Sequence, residues 1–379
     1  LSHLVGSLGI GIYQLVLPLL VFFVVLSSDG FALGLTIKIA EVENSHKKQA
    51  YFKLSIICTL VVSLISAVVI VIFSKSLSFI QGGKITPYLY LIVALGVVTV
   101  SLLAILKAKV RGQENFKLYS ISEIVEDVLK VAVGLVLGYL LLPYGIEKAV
   151  FGVLVGIVVS SLLSIILLLV LGNNKNTKME NNQLTKQERG DYLKFSLVAV
   201  GASVVVPAVQ FIESAIIVNL LSKSGLNSIE ATKLFGLSRG TVSSIINLPF
   251  FVLTSVEVLL LPNLARSKTN GIYKKKTSLS LFFALFISVP FVIIFILFAP
   301  IIMELLFGGA LDQVEIKVAS SLLKLGSVGI IFSSISTVLS VILSSNNKIT
   351  ALLFSSIGAG VVKILFLLIF VPKLSIYGV

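Results

Sequence analysis

Long runs of apolar residues, broken at intervals by short polar stretches, set the organisation of this chain. A helix needs about 20 apolar residues to cross roughly 30 Å of hydrocarbon. Ten segments meet that length: approximately 10–37, 54–73, 87–106, 121–142, 149–171, 192–221, 241–261, 279–306, 318–343 and 350–371. The runs are continuous rather than alternating, so they lack the pattern of an outer-membrane barrel. The expected fold is therefore an all-α polytopic membrane protein. The longest hydrophilic stretch, 172–191, holds an Asn-Asn-Lys-Asn-Thr-Lys run and reads as a flexible cytoplasmic linker. It divides the sequence into an N-terminal lobe, 1–171, and a C-terminal lobe, 192–379.

Composition narrows the function. Of 379 residues, 57% are hydrophobic and 12% charged, against roughly 45–50% and 25% in soluble domains. The net charge of +13 on so apolar a chain points to membrane orientation and not to nucleic acid. Counted loop by loop, Lys and Arg fall 19 on one side and 8 on the other. The richer side is expected to be cytoplasmic, which makes this a multi-pass protein of the cytoplasmic membrane whose first visible span runs inward. A complete protein starting in the cytoplasm would then carry one more helix before Leu1. The single cysteine, Cys58, and the two histidines, His3 and His46, offer neither a disulfide nor a metal site. No phosphate loop and no Ser-His-Asp set occurs, so no enzyme chemistry and no cofactor is expected.

The two halves share landmarks at a nearly constant offset. Pro18 answers Pro249, Lys48 answers Lys275, and Gly82-Gly83 answers Gly308-Gly309. Lys130 answers Lys363 at 233 residues, and Gly152-Val153 answers Gly378-Val379 at 226. These matches predict two pseudo-symmetric lobes of six spans each in the full protein, related by an axis along the membrane normal. Here the first lobe would lack its opening helix and the second its closing one.

Ionisable residues inside spans are costly and mark cavities or partners. Lys130 follows Glu123, Glu126 and Asp127, with Glu123 and Glu126 on its own helical face. Lys363 has no acid in its span, and by the repeat it would approach the axis opposite Lys130, where the two lysines suit a pyrophosphate. Pairing of Lys363 with an acid such as Glu213 or Asp29 is the alternative. Asp29 and Glu213 are candidates for counter-charge or ion coupling, whereas Glu257 is explained by Arg266 near the cytoplasmic end, and Lys324 by snorkelling.

Gly9-Ile-Gly-Ile-Tyr-Gln-Leu-Val-Leu-Pro18, Ser28-Asp-Gly30, Arg111-Gly-Gln, Ser122-Glu-Ile-Val-Glu126, Gly138 to Ile146, Glu230 to Gly236 and Asn247-Leu-Pro249 stand out in order along the chain. Together they resemble the stage V sporulation protein B and polysaccharide biosynthesis group of transporters. That group belongs to the multidrug/oligosaccharidyl-lipid/polysaccharide exporter superfamily and is related to the MviN-type lipid II flippases. The resemblance implies flipping of a polyprenyl-pyrophosphate-linked sugar, such as a peptidoglycan precursor, by alternating access. A cation-coupled multidrug or metabolite exporter of the same fold is the alternative. The implied partners are that lipid-linked sugar, membrane lipids and Na+ or H+. Two cavity arginines of the MviN type fall on Val21 and Ser244 here, so that set is not carried over, and Arg239 is the cation nearest to it. The candidate substrate residues are thus Lys130, Lys363 and Arg239, with Asp29, Glu126, Asp127 and Glu213 for counter-charge or ion coupling.

Overall fold

A computed structural model of the protein describes residues 2–82, 85–172, 184–251, 273–345 and 349–379. Gly83, Glu257, Arg266, most of the expected linker and the second half of the expected span 241–261 lie outside them. All the regular structure among the described residues is helical. The chain begins with α1 (Ser2–Glu41), kinked at Gly6, whose φ of 64° is a left-handed conformation that glycine adopts without strain. Asn44 caps α2 (Ser45–Ile72) by accepting from the backbone N–H groups of His46 and Lys47. Then come α3 (Ser74–Ile80), α4 (Pro87–Gly112) and α5 (Phe116–Leu141). A single 3-10 turn, Leu142–Tyr144, and Gly145 at φ 119° reverse the chain into α6 (Ile146–Leu171).

The second part of the sequence contains α7 (Lys186–Ser203), α8 (Val205–Lys223), α9 (Ser228–Gly236), a π-helical turn at Leu237–Val242 and α10 (Ser243–Ile246). The long helices α11 (Tyr273–Phe307), α12 (Gln313–Ser345) and α13 (Ile349–Leu374) follow, with a final 3-10 turn at Ser375–Gly378. Eight described segments are long and apolar enough to cross a membrane: α1, α2, α4, α6 and α8, and the apolar parts of α11 to α13. Helix α5 is as long as α4, yet it carries Lys117, Glu123, Glu126, Asp127 and Lys130 and falls outside that set.

Two sequence expectations are corrected. Residues 192–221 do not form one helix, because α7 ends at Ser203 and α8 starts at Val205. Pro207 has no N–H to donate to the Ser203 carbonyl, so the ladder is broken there, while the bonds from Val204 to Val200 and from Ala208 to Val204, each 2.9 Å, hold on either side. Residues 186–191 of the expected linker are also helical, because Thr185 and Glu188 form a reciprocal capping box.

The chain folds as two compact units, one of Ile12–Asn219 and one of Leu1–Gly11 with Leu220–Val379. In the first, Phe31, Leu35, Ile39, Tyr51, Ile105 and Tyr192 form a core shared by α1, α2, α4 and α7. The Tyr192 hydroxyl donates to the Phe31 carbonyl at 3.0 Å and lies 2.6 Å from the Ser55 hydroxyl, so its polar tip is satisfied inside that core. Helices α5 and α6 cross at paired glycines. A Cβ on Gly156 would lie 2.6 Å from the Gly134 Cα, and one on Gly152 would lie 2.9 Å from the Gly138 nitrogen. Such small-residue crossings let backbones meet where lipid gives no hydrophobic drive for association. In the second unit, Gly11 abuts the Thr232 backbone and Gly236 abuts that of Ser7, while Ala284 and Val338 join α11 to α12.

The repeat reappears in backbone geometry. A Cβ on Gly152 would sit 2.7 Å from the Leu137 carbonyl carbon and 2.9 Å from the next nitrogen. One on Gly378 would sit 2.7 Å from the Phe370 carbonyl carbon and 2.8 Å from the next nitrogen. Leu137 and Phe370 are 233 residues apart, as are Lys130 and Lys363, whereas the glycines are 226 apart. The seven-residue difference falls beyond the ends of α5 and α13, where Gly152 lies within α6 and Gly378 in the closing 3-10 turn.

Candidate functional site

The densest set of charges inside a helix pair lies between α4 and α5. At 1.5 Å per residue, Glu126 is about 15 Å from the start of α5, which is about half the hydrocarbon thickness. The alternation of acids and a lysine along α5 puts Glu123, Glu126 and Lys130 on one helical face, and the long stem of Lys107 reaches them from α4. The Lys107 ammonium donates to Glu123 at 2.6 Å and also to Glu126. Lys130 lies 2.9 Å from Asp127 and 3.5 Å from Glu126. Glu126 is thus shared by two lysines, with one carboxylate oxygen toward each, and its side chain is only 12% exposed. Lys107 is equally enclosed at 11%, whereas Lys130 is 36% exposed and accessible to a ligand.

This arrangement corrects two readings of the sequence. Lys107 is not a loop residue, since it lies inside α4, flanked on its face by buried Leu103 and Val110. Those positions, four before and three after, were the available signal that the lysine points inward. Glu123, expected beside Lys130, pairs with Lys107 instead. Three carboxylates and two ammonium groups give the cluster a net charge of −1.

The other candidates are dispersed. Asp29 is half-buried on α1, within electrostatic reach of Arg111, whose guanidinium lies 3.4 Å from the Thr36 hydroxyl. Gly30, the next residue, lies against the Ser196 backbone, so α1 and α7 touch beside Asp29. Glu213 on α8 is 2% exposed and is engaged by neighbouring groups. Beside it, Ser214 belongs to a polar knot that the sequence did not announce. The Gln81 amide donates to the Leu15 carbonyl at 2.8 Å and to Ser214 at 3.5 Å, and Gln81 accepts from the Tyr90 hydroxyl at 2.6 Å. Arg239 lies in the π-helical turn and Lys363 in α13, both in the unit of Leu1–Gly11 and Leu220–Val379, and both have interaction partners. A π-turn widens a helix locally and often marks a functional position. Lys130, Glu126, Asp127, Asp29 and Glu213 belong to the unit of Ile12–Asn219. Among the described residues no His, Cys, Asp and Glu group has metal-binding form.

Outside the membrane, Lys47 donates to Glu188 at 2.6 Å and the Thr185 N–H donates to the same carboxylate at 2.8 Å. Lys47 first, and then the Thr185 backbone, pull the Glu188 carboxyl down from 4.5 to about 2. The pair ties the start of α7 to the start of α2.

A model of the family described as polysaccharide biosynthesis protein matches residues 1–266. Stage V sporulation protein B of Bacillus subtilis (strain 168) is 23% identical over 331 residues, which are 84% of this chain. The match spans 64% of that protein, so the chain covers less than two thirds of its length. Among solved structures, an inward-facing multidrug resistance MATE family transporter of the MOP superfamily superposes with a TM-score of 0.78 at 17% identity, over 100% of this chain and 89% of the other. The lipid II flippase MurJ in its inward closed conformation superposes with a TM-score of 0.77 at 15% identity, over 100% of this chain and 79% of the other. The fold is that of these transporters.

Proposed function

Because the chain belongs to the polysaccharide biosynthesis protein family, we propose that the complete protein flips a polyprenyl-pyrophosphate-linked sugar across the cytoplasmic membrane by alternating access between two lobes, to which residues 1–171 and 192–379 belong. The family match carries this reading, and the likeness to stage V sporulation protein B supports it. Lipid II, named for one structural relative, is the model substrate.

In this reading Lys130 and Lys363, at equivalent positions in the repeat, contact the pyrophosphate, with Arg239 as a further cation. Glu126 and Asp127 hold Lys130 until substrate arrives, because the bilayer tolerates an unpaired ammonium poorly. The pyrophosphate then replaces the carboxylates around Lys130. A proton or Na+ taken up by the carboxylates offsets the charge so released, with Asp29 and Glu213 as further sites of uptake. A second reading, a cation-coupled exporter, is favoured by the net −1 charge of the α4–α5 cluster, which suits a positive ligand.

Native mass spectra of the full-length protein with lipid II, undecaprenyl phosphate and a cationic dye separate the two readings. Flippase function predicts preferential retention of lipid II, weakened by Lys130→Ala and by Lys363→Ala. Retention unaffected by either substitution removes the paired-lysine site but keeps the function. Binding of the dye without the lipid transfers the argument to the exporter.

A further inference from the structure

Lys324 and Lys317 have no part in the site above, and their surroundings explain why they are there. A groove of about 800 Å³ opens between the end of α11 and the start of α12, lined by Pro300 and Glu304 on one side and Lys317, Ser320, Ser321 and Lys324 on the other. The last four recur at helical spacing on one face of α12, and about 10 Å of helix separates the two lysines. The Ser320 hydroxyl donates back to the Ile316 carbonyl at 2.7 Å and that of Ser321 to the Lys317 carbonyl at 3.0 Å. The two ammonium groups, with the Gln313 amide, are therefore the donors left to the groove, and the ammonium groups are its only cations among the described residues. Among the described residues, no carboxylate lies within ion-pair distance of either lysine. Around the groove the helices present bare hydrocarbon: Leu305 is 82% exposed, Val314 72% and Leu325 61%.

Cations between apolar side chains at a bilayer boundary attract anionic lipid. Two lysines against Glu304 leave the groove at +1, which one singly charged phosphodiester neutralises and a pyrophosphate would overshoot. We propose that the groove between α11 and α12 binds the phosphodiester headgroup of an anionic glycerophospholipid, with its acyl chains along Leu305 and Leu325. The proposal stands apart from the substrate reading, since it needs only a membrane.

Residues 1–379 contain no tryptophan, so Val314→Trp, at the wall of the groove, in full-length protein free of other tryptophans reports on this groove. Reconstituted in mixed vesicles, its fluorescence is expected to be quenched by brominated phosphatidylglycerol with a relative affinity about fivefold or more above that of brominated phosphatidylcholine, from about fivefold per lysine at the surface. Lys317→Gln with Lys324→Gln should bring the two lipids to near parity, while the corresponding arginine pair keeps the preference and shows that the fold is intact. Equal quenching by both lipids in the parent protein, or a preference that survives the glutamine pair, overturns the proposal. So does relief of quenching by one equivalent of polyprenyl pyrophosphate, which would make the groove a substrate site instead.

Discussion

Removing the Lys107 ammonium leaves Glu123 and Glu126 together without their shared cation, and Lys130 is too far along α5 to replace it for both. Breaking an enclosed ion pair from one side costs about 3–5 kcal/mol, while replacing both partners by apolar groups is often close to neutral. Lys107→Met is therefore expected to lower the thermal midpoint in detergent well below that of Lys107→Met with Glu126→Met. A double variant at least as unstable as the single one would contradict the shared-carboxylate geometry. Glu188 gives a prediction of the opposite kind, at an exposed site. Its carboxyl is lowered from 4.5 to about 2 by Lys47 and the Thr185 N–H, so the folded state holds the ionised form more firmly than the unfolded chain does. The stability gained is full above pH 4.5 and is lost as pH falls toward 2. Thermal unfolding of Glu188→Gln against the parent protein should differ at neutral pH and converge over that interval. The Lys130–Asp127 pair was legible in the sequence because it lies within one turn of one helix. The Lys107–Glu126 pair was not, because contact between two helices depends on their register, and a lone sequence does not give it.

Among elements, the α5–α6 crossing is where packing bears directly on the site. Gly156 touches no charged side chain, yet a Cβ there would meet the Gly134 Cα at 2.6 Å and the Lys130 carbonyl at 3.1 Å. Gly156→Val must separate the helices and displace the backbone that carries Lys130, and overpacking of this kind typically costs about 1–3 kcal/mol. A lower thermal midpoint together with weaker lipid II retention is expected, and an unchanged value of both would show that the crossing is loose. Hydrophobic run length found most of the helices, since crossing a bilayer demands length and apolarity above all. It missed the break between α7 and α8, because one absent hydrogen bond at Pro207 does not change the hydropathy of the residues around it. It missed the capped start of α7 for the same reason: Thr185 and Glu188 act through geometry, and their polarity alone reads as linker.

For the molecule as a whole, the sequence landmarks that pointed to a repeat were spaced unevenly, at 226 to 233 residues. The backbone contacts of Gly152 and Gly378 bear on one change of offset only, the one between Lys363 and Gly378. What the landmarks could not supply was the composition of each compact unit: Leu1–Gly11 packs with Leu220–Val379 through close contacts at Gly11 and Gly236, although more than two hundred residues intervene. The ion pairs between α4 and α5 also bear on how the protein is made. Each charge at mid-helix opposes transfer from the translocon into lipid by about 2.5–3.5 kcal/mol, and α5 carries four of them between Glu123 and Lys130. Helix α4 leaves the ribosome first and is apolar enough to enter alone, so Lys107 is already waiting when Glu123 and Glu126 arrive. Glycosylation-site mapping of nascent chains should find α5 inserted efficiently behind the native α4 and poorly behind Lys107→Met. The lysine that holds the site together in the finished protein would then also act earlier, as the escort that brings its partner helix into the membrane.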